Sequence, residues 1–111
     1  MMDEQVFKRA ADEALESARK ALLAAADEHG FEVDYNAGNL TVEFEEPAPA
    51  RFVISPNTPV RQIWVSALSK SFKLEWREER KAFVWPETGE ALKDLLGRVT
   101  GQHLGAAVPV E

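Results

Sequence analysis

The chain has 111 residues, 45% hydrophobic and 29% charged, with no cysteine. That composition suits one ordinary domain with a single core, and it excludes disulfides, thiolate metal sites and cysteine nucleophiles. Nineteen acidic against thirteen basic residues give a net charge of −6, which disfavours nucleic acid and anionic membrane surfaces and favours cations or a basic protein partner.

From Asp3 to about His29, Phe7, Ala11, Ala14, Leu15, Ala18, Leu22 and Ala25 recur at helical spacing and form one apolar stripe. One long amphipathic helix is predicted, with Gly30 as its C-terminal stop. The residues before it lack the basic start and apolar block of a secretory signal, and no later apolar run could cross a bilayer, so a cytoplasmic location is expected. Residues 31–35 and 40–45 then alternate apolar and polar around the loop 36–39, which predicts a β-hairpin. A proline-rich turn leads to a strand at 51–55, and a second turn at 56–59 leads into the strand that carries Trp64.

Two more strands follow at 71–76 and 81–85, joined by the charged turn 77–80. Thr88 can cap a second helix, whose Leu92, Leu95, Leu96 and Val99 fall at i, i+3, i+4 and i+7 and which is expected to stop at Gly101. The tail 102–111 carries Leu104, Val108 and Val110, expected to lie along the helices. Strands flanked by helices predict an α+β fold: a two-layer α-β sandwich of one domain, residues 1–111, with N- and C-terminal helices on one face of a five- to six-stranded antiparallel sheet and the other face in solvent.

Two surfaces stand out as candidate sites. Alternation gives Ile63, Val65 and Ala67 to the core, so Gln62, Trp64 and Ser66 face outward. A tryptophan on a polar face has the character of an interface anchor; the other reading is that both sheet faces are covered and Trp64 is buried. The second surface is acidic. Pairing the hairpin across its loop sets Tyr35 opposite Leu40, Val33 opposite Val42 and Phe31 opposite Phe44 on the buried side, and Glu32 opposite Glu43 outside, with Asp34 and Glu45 nearby. Facing carboxylates oppose folding unless screened or bridged, and without sulfur they suit hard cations such as Mg²⁺, Ca²⁺, Mn²⁺ or ferrous iron, held weakly. Asp27, Glu28 and His29 could extend the group, although a solvated acidic face and a surface histidine at a helix end account for the same residues.

The helix itself mixes signs. Arg9 with Glu13, Lys8 with Asp12, and Glu16 with Lys20 stand at i,i+4 and would pair. Enzyme motifs are absent: His29 and His103 are the two histidines, and there is no HExxH, GxSxG, P-loop or dinucleotide-binding glycine turn.

Residues 39–44 (Asn-Leu-Thr-Val-Glu-Phe), Phe52-Val53-Ile54, the phrase from Asn57 to Trp64 with its Thr58-Pro59 and Gln62-Ile63-Trp64, and Thr88-Gly89-Glu90 before Leu92 and Leu95-Leu96 resemble the frataxin family, in its bacterial branch, over nearly the whole chain. The resemblance implies an accessory protein of iron–sulfur cluster assembly that binds cysteine desulfurase, modulates sulfur transfer to the scaffold protein and binds iron weakly through surface carboxylates. It implies a partner surface at Trp64 with Gln62, Asn57 and Ser55, to which we add Lys73, and an iron-binding acidic ridge along the first helix and strand. That ridge would draw on Asp12, Glu13, Glu16, Asp27, Glu28, Glu32, Asp34 and Glu43, with His29 alongside. It implies a monomer that iron could drive to oligomers, and it leaves ferroxidase activity conceivable, although no enzyme is expected. One departure matters: where bacterial relatives carry adjacent glutamates late in the first helix, this chain has Arg19 and Lys20, then Leu23 and Ala24. The ridge is cut there, which moves the expected iron site to the helix end and hairpin and opens the alternative of a metal-independent adaptor of the same fold.

Overall fold

The computed structural model describes residues 2–111. Helix α1 (Glu4–His29) starts where Asp3 accepts a hydrogen bond from the Val6 amide at 2.8 Å and ends where Gly30, at φ 77°, turns its N–H back to the Ala26 carbonyl. The Gly30 stop is as the sequence predicts and the start falls one residue after the expected Asp3, because an N-cap carboxylate satisfies a free helix amide and glycine enters the left-handed region without strain. Phe7, Leu15 and Leu22 are fully buried along it. Ala11, Ala18 and Ala25 alternate with them, and their small side chains let α1 lie close on the sheet.

Seven antiparallel strands follow in sequential order: β1 (Glu32–Asn36), β2 (Asn39–Phe44), β3 (Ala50–Asn57), β4 (Gln62–Ala67), β5 (Lys70–Arg77), β6 (Ala82–Trp85) and β7 (Glu90–Ala91). A 3-10 turn, Thr58–Val60, joins β3 to β4. The hairpin register is the expected one, with Glu32 opposite Glu43, Val33 opposite Val42 and Tyr35 opposite Leu40. Helix α2 (Leu92–Leu104) lies with α1 on the apolar face, over a core that includes Phe52, Ile54, Ile63, Leu74, Phe83, Leu95 and Leu96. Phe44 packs its ring 5.1 Å from Phe31 and 4.9 Å from Phe52, and Phe7 meets Phe83 edge-on at 5.8 Å. Each fully buried Leu, Ile or Phe contributes about 1.5–3 kcal/mol. The two-layer α+β sandwich is thus held mainly from its inner face, with Val84, cross-strand from Glu75, buried on the outer side.

The C-terminal part departs from the expectation in three ways. There are seven strands rather than five or six, because Gly89, at φ 78°, turns the chain back along β6 to form β7. Thr88 therefore does not cap the helix: its hydroxyl bonds the Glu90 carboxylate and amide, and α2 begins two residues past Glu90. The helix also runs through Gly101 and ends at Gly105, φ 70°. A Cβ on Gly101 would sit 2.8 Å from the Ala106 carbonyl oxygen, and one on Gly97 would sit 3.1 Å from that of Val108. These glycines receive the returning tail, whose Val108 and Val110 are buried as expected of a segment lying on the helices.

Candidate functional site

The outer face of β3, β4 and β5 is built by strict alternation. Ile63, Val65 and Ala67 are buried on the inner face, so Gln62, Trp64 and Ser66 must point away from the helices. Trp64 is 37% exposed. Register places Ser55 on one side of it and Lys73 on the other, and places Asn57, Gln62 and Glu75 in the adjoining row. All five residues expected at the partner surface therefore meet in two neighbouring rows.

Contacts within this patch hold the indole in place. The Trp64 Nε1–H donates to Gln62 Oε1 at 2.8 Å, and the Lys73 ammonium stands 4.8 Å from the centre of the ring. The cation sits where the ring's negative quadrupole attracts it. Gln62 Nε2 donates to the Glu75 carboxylate at 3.4 Å, and Arg77 donates to the other oxygen of that carboxylate at 3.1 Å. Glu75 and Arg77 were not among the expected site residues. Their signal was in the chain, since period-two alternation from Lys73 brings both to the same face.

The acidic residues divide into three groups. Asp27, Glu32, Asp34 and Glu43 line one open depression of about 440 Å³, together with Leu23, Ala26 and Thr41. Glu28 and His29 stand beside each other, with 3.9 Å between the imidazole Nε2 and the carboxylate. Glu13 lines a separate groove with Arg9, Trp76 and Lys81, while Asp12 is exposed on the helix. Among the described residues, no three His, Asp or Glu side chains converge tightly enough to hold a metal ion. Asp27 at the helix end and the three hairpin carboxylates share a surface rather than a ready coordination sphere.

Helix pairing differs from the i,i+4 expectation. Lys8 reaches back to Glu4 at 2.9 Å rather than forward to Asp12, and Glu16 is held by Arg19 at 3.0 Å rather than by Lys20. No Arg9–Glu13 bridge forms among the described residues. Each helical side chain has acceptable neighbours at both i+3 and i+4, and in α1 the bidentate geometry of the guanidinium favours Glu16. Hydrogen bonding from Arg19 holds the Glu16 carboxyl below its ordinary range.

The family model for the frataxin-like domain matches residues 1–106. The chain belongs to the frataxin-like family. The iron-sulfur cluster assembly protein CyaY of Pseudomonas syringae pv. tomato is 35% identical over 82 residues, covering 72% of this chain and 73% of that protein. Its counterpart in Pseudomonas putida GB-1 is 32% identical over 93 residues, covering 82% and 83%. Among solved structures, a frataxin from Psychromonas ingrahamii superposes over 99% of both chains at 19% identity with a TM-score of 0.78. The trimeric frataxin of Saccharomyces cerevisiae, in a ferrous complex, covers 86% of both chains at 22% identity and a TM-score of 0.71. These superpositions establish that the frataxin-like fold, helices on one side and open sheet on the other, is shared. No helix of the described residues is long and apolar enough to cross a membrane.

Proposed function

We propose that this chain is an accessory protein of iron–sulfur cluster assembly that docks on cysteine desulfurase and its scaffold protein and binds iron weakly. The observation that carries this reading is the outward display of Trp64, flanked by Ser55 and Lys73, on an uncovered sheet of a frataxin-like chain. Large aromatics so placed are typical anchors of protein interfaces, and the names of the Pseudomonas relatives support the pathway. A net charge of −6 favours a basic docking surface and argues against nucleic acid and anionic membranes as partners.

Iron would be held by Asp27, Glu32, Asp34 and Glu43. Carboxylate oxygens suit a hard cation, and an open depression with no converged ligand set implies low affinity and retained water. The ferrous complex of the yeast frataxin is in keeping with this reading. Isothermal titration of the chain into a desulfurase–scaffold mixture at low and high ionic strength tests the docking. Binding that weakens with salt is expected, and no heat at either salt would refute it.

A second reading is favoured by one observation: Arg19 occupies Glu16 and interrupts the helix acids. On that reading the chain is a metal-independent adaptor of the same fold. Fe²⁺ titration followed by NMR separates the two, since saturable changes confined to residues 27–45 require the metal role and none at millimolar iron leaves the adaptor. We further propose that the chain is no enzyme and is monomeric without iron; aerobic Fe²⁺ oxidation faster than a buffer blank would overturn the first point, and light scattering showing an iron-free oligomer the second.

A further inference from the structure

We infer that Glu75 is a positioning residue for Trp64, acting through Gln62, and that it sets the pose in which the indole meets the partner protein. The inference rests on the docking function proposed above for this face. An indole Nε1–H can only donate, so the Gln62 side chain must turn its oxygen toward Trp64, as the 2.8 Å contact shows. That leaves the Gln62 NH₂ group facing the strand opposite. The residue directly across from it is Glu75, an ionised carboxylate that can only accept, with an oxygen 3.4 Å from Gln62 Nε2. Each link in the chain from Arg77 to Glu75 to Gln62 to Trp64 therefore has one workable polarity.

A residue at position 75 with no side-chain acceptor, alanine or a basic residue, would leave the Gln62 NH₂ group without its cross-strand partner. Gln62 would then be free to rotate, and Trp64 would lose its only hydrogen-bond tether among the described residues while keeping the Lys73 contact on its face. The indole donor is already used within the chain, so the partner meets the ring's carbon surface and edge. Freezing one side chain on binding costs about 0.5–1.5 kcal/mol, so a free indole lowers affinity by roughly two- to tenfold.

The test compares Glu75→Ala and Glu75→Gln by NMR and by titration with the desulfurase–scaffold mixture, the Trp64 Nε1–H signal being assigned with Trp64→Phe. Glu75→Ala is expected to shift that signal, speed its hydrogen exchange and weaken docking two- to tenfold while the backbone spectrum stays folded. Glu75→Gln still offers a side-chain oxygen to Gln62 and should restore both readouts. An unmoved indole signal in Glu75→Ala overturns the inference, even if docking weakens, because Glu75 would then be touching the partner itself. A shifted signal with unchanged affinity overturns the docking consequence. If the unmodified chain binds neither protein, the proposed function fails, and the indole signal still decides the role of Glu75.

Discussion

Replacing Trp64 with alanine removes a large ring from a surface rather than from the core, and the structure limits what that can cost. The side chain is 37% exposed, donates one hydrogen bond to Gln62 and faces one ammonium at 4.8 Å. An exposed cation–π contact is worth about 0.5–1 kcal/mol. An exposed hydrogen bond adds about 0.5–1.5 kcal/mol. The two contacts together account for a stability loss of about 1–2.5 kcal/mol, a small part of the roughly 5–15 kcal/mol that holds a domain together. Ile63, the next residue and 0% exposed, provides the internal comparison, since truncating a fully buried isoleucine costs about 2–5 kcal/mol. Binding should order the two variants the other way, because a central aromatic anchor costs about 2 kcal/mol or more on truncation, close to 30-fold in affinity. The assay is a pair of measurements on each variant: a urea midpoint and a titration with the desulfurase–scaffold mixture. If Trp64→Ala unfolds as readily as Ile63→Ala, or binds as tightly as the unmodified chain, then the anchor reading is wrong.

Three further outcomes are expected. Gly101→Ala should destabilise the chain by about 1–3 kcal/mol through overpacking, because its Cβ would lie 2.8 Å from the Ala106 carbonyl oxygen; an unchanged urea midpoint would mean that the tail moves aside freely. The Arg98 guanidinium, hydrogen-bonded to Glu90 at 2.8 and 3.0 Å, lowers the Glu90 pKa below its ordinary 4.5. A depressed folded-state value means that this contribution is fully present above about pH 4.5 and is lost as pH falls through the lowered value, so Glu90→Gln should lose more stability at pH 7 than at pH 3 by chemical denaturation. Arg19→Ala frees the Glu16 carboxylate, so Mn²⁺-induced broadening of the NMR signals around Glu16 should appear at lower metal concentration than in the unmodified chain.

Local pattern was enough to read α1, the hairpin and the sidedness of β4, because each depends on period and on a nearby cap. Asp3 and Gly30 bracket one alanine-rich stripe, and the alternation around Ile63 leaves no second way to place Trp64 once the inner face is chosen. The region from Thr88 to Leu92 was not legible. Threonine-glycine-glutamate before leucines fits a helix start as well as a turn, and the turn at Gly89 is accompanied by a contact no local pattern shows, Arg98, eight residues onward, clamping Glu90. Gly101 misled for a related reason: it is glycine because the tail crosses it, a tertiary contact that imitates a local stop signal. The hairpin acids were placed together in sequence, yet the strand pairing and helix end spread them around an open depression instead of aiming them at one point.

The two-layer arrangement separates the two properties that the proposed docking role needs. The buried phenylalanines and leucines lie between the sheet and the helices, so the outer face around Trp64 can carry charge and an indole. On that face the acids gather at the β1–β2 edge, whereas Trp64 and Lys73 occupy the middle of the sheet. Exposed charges act at a distance and are screened by salt, so on the proposed docking role the edge would govern how fast a basic partner arrives. The indole acts only in contact, so on the same proposal the centre would govern how long the partner stays. Two residues would tune these properties: Arg19 reduces the negative charge along α1 by occupying Glu16, and Glu75, through Gln62, holds the anchor of the centre in one pose.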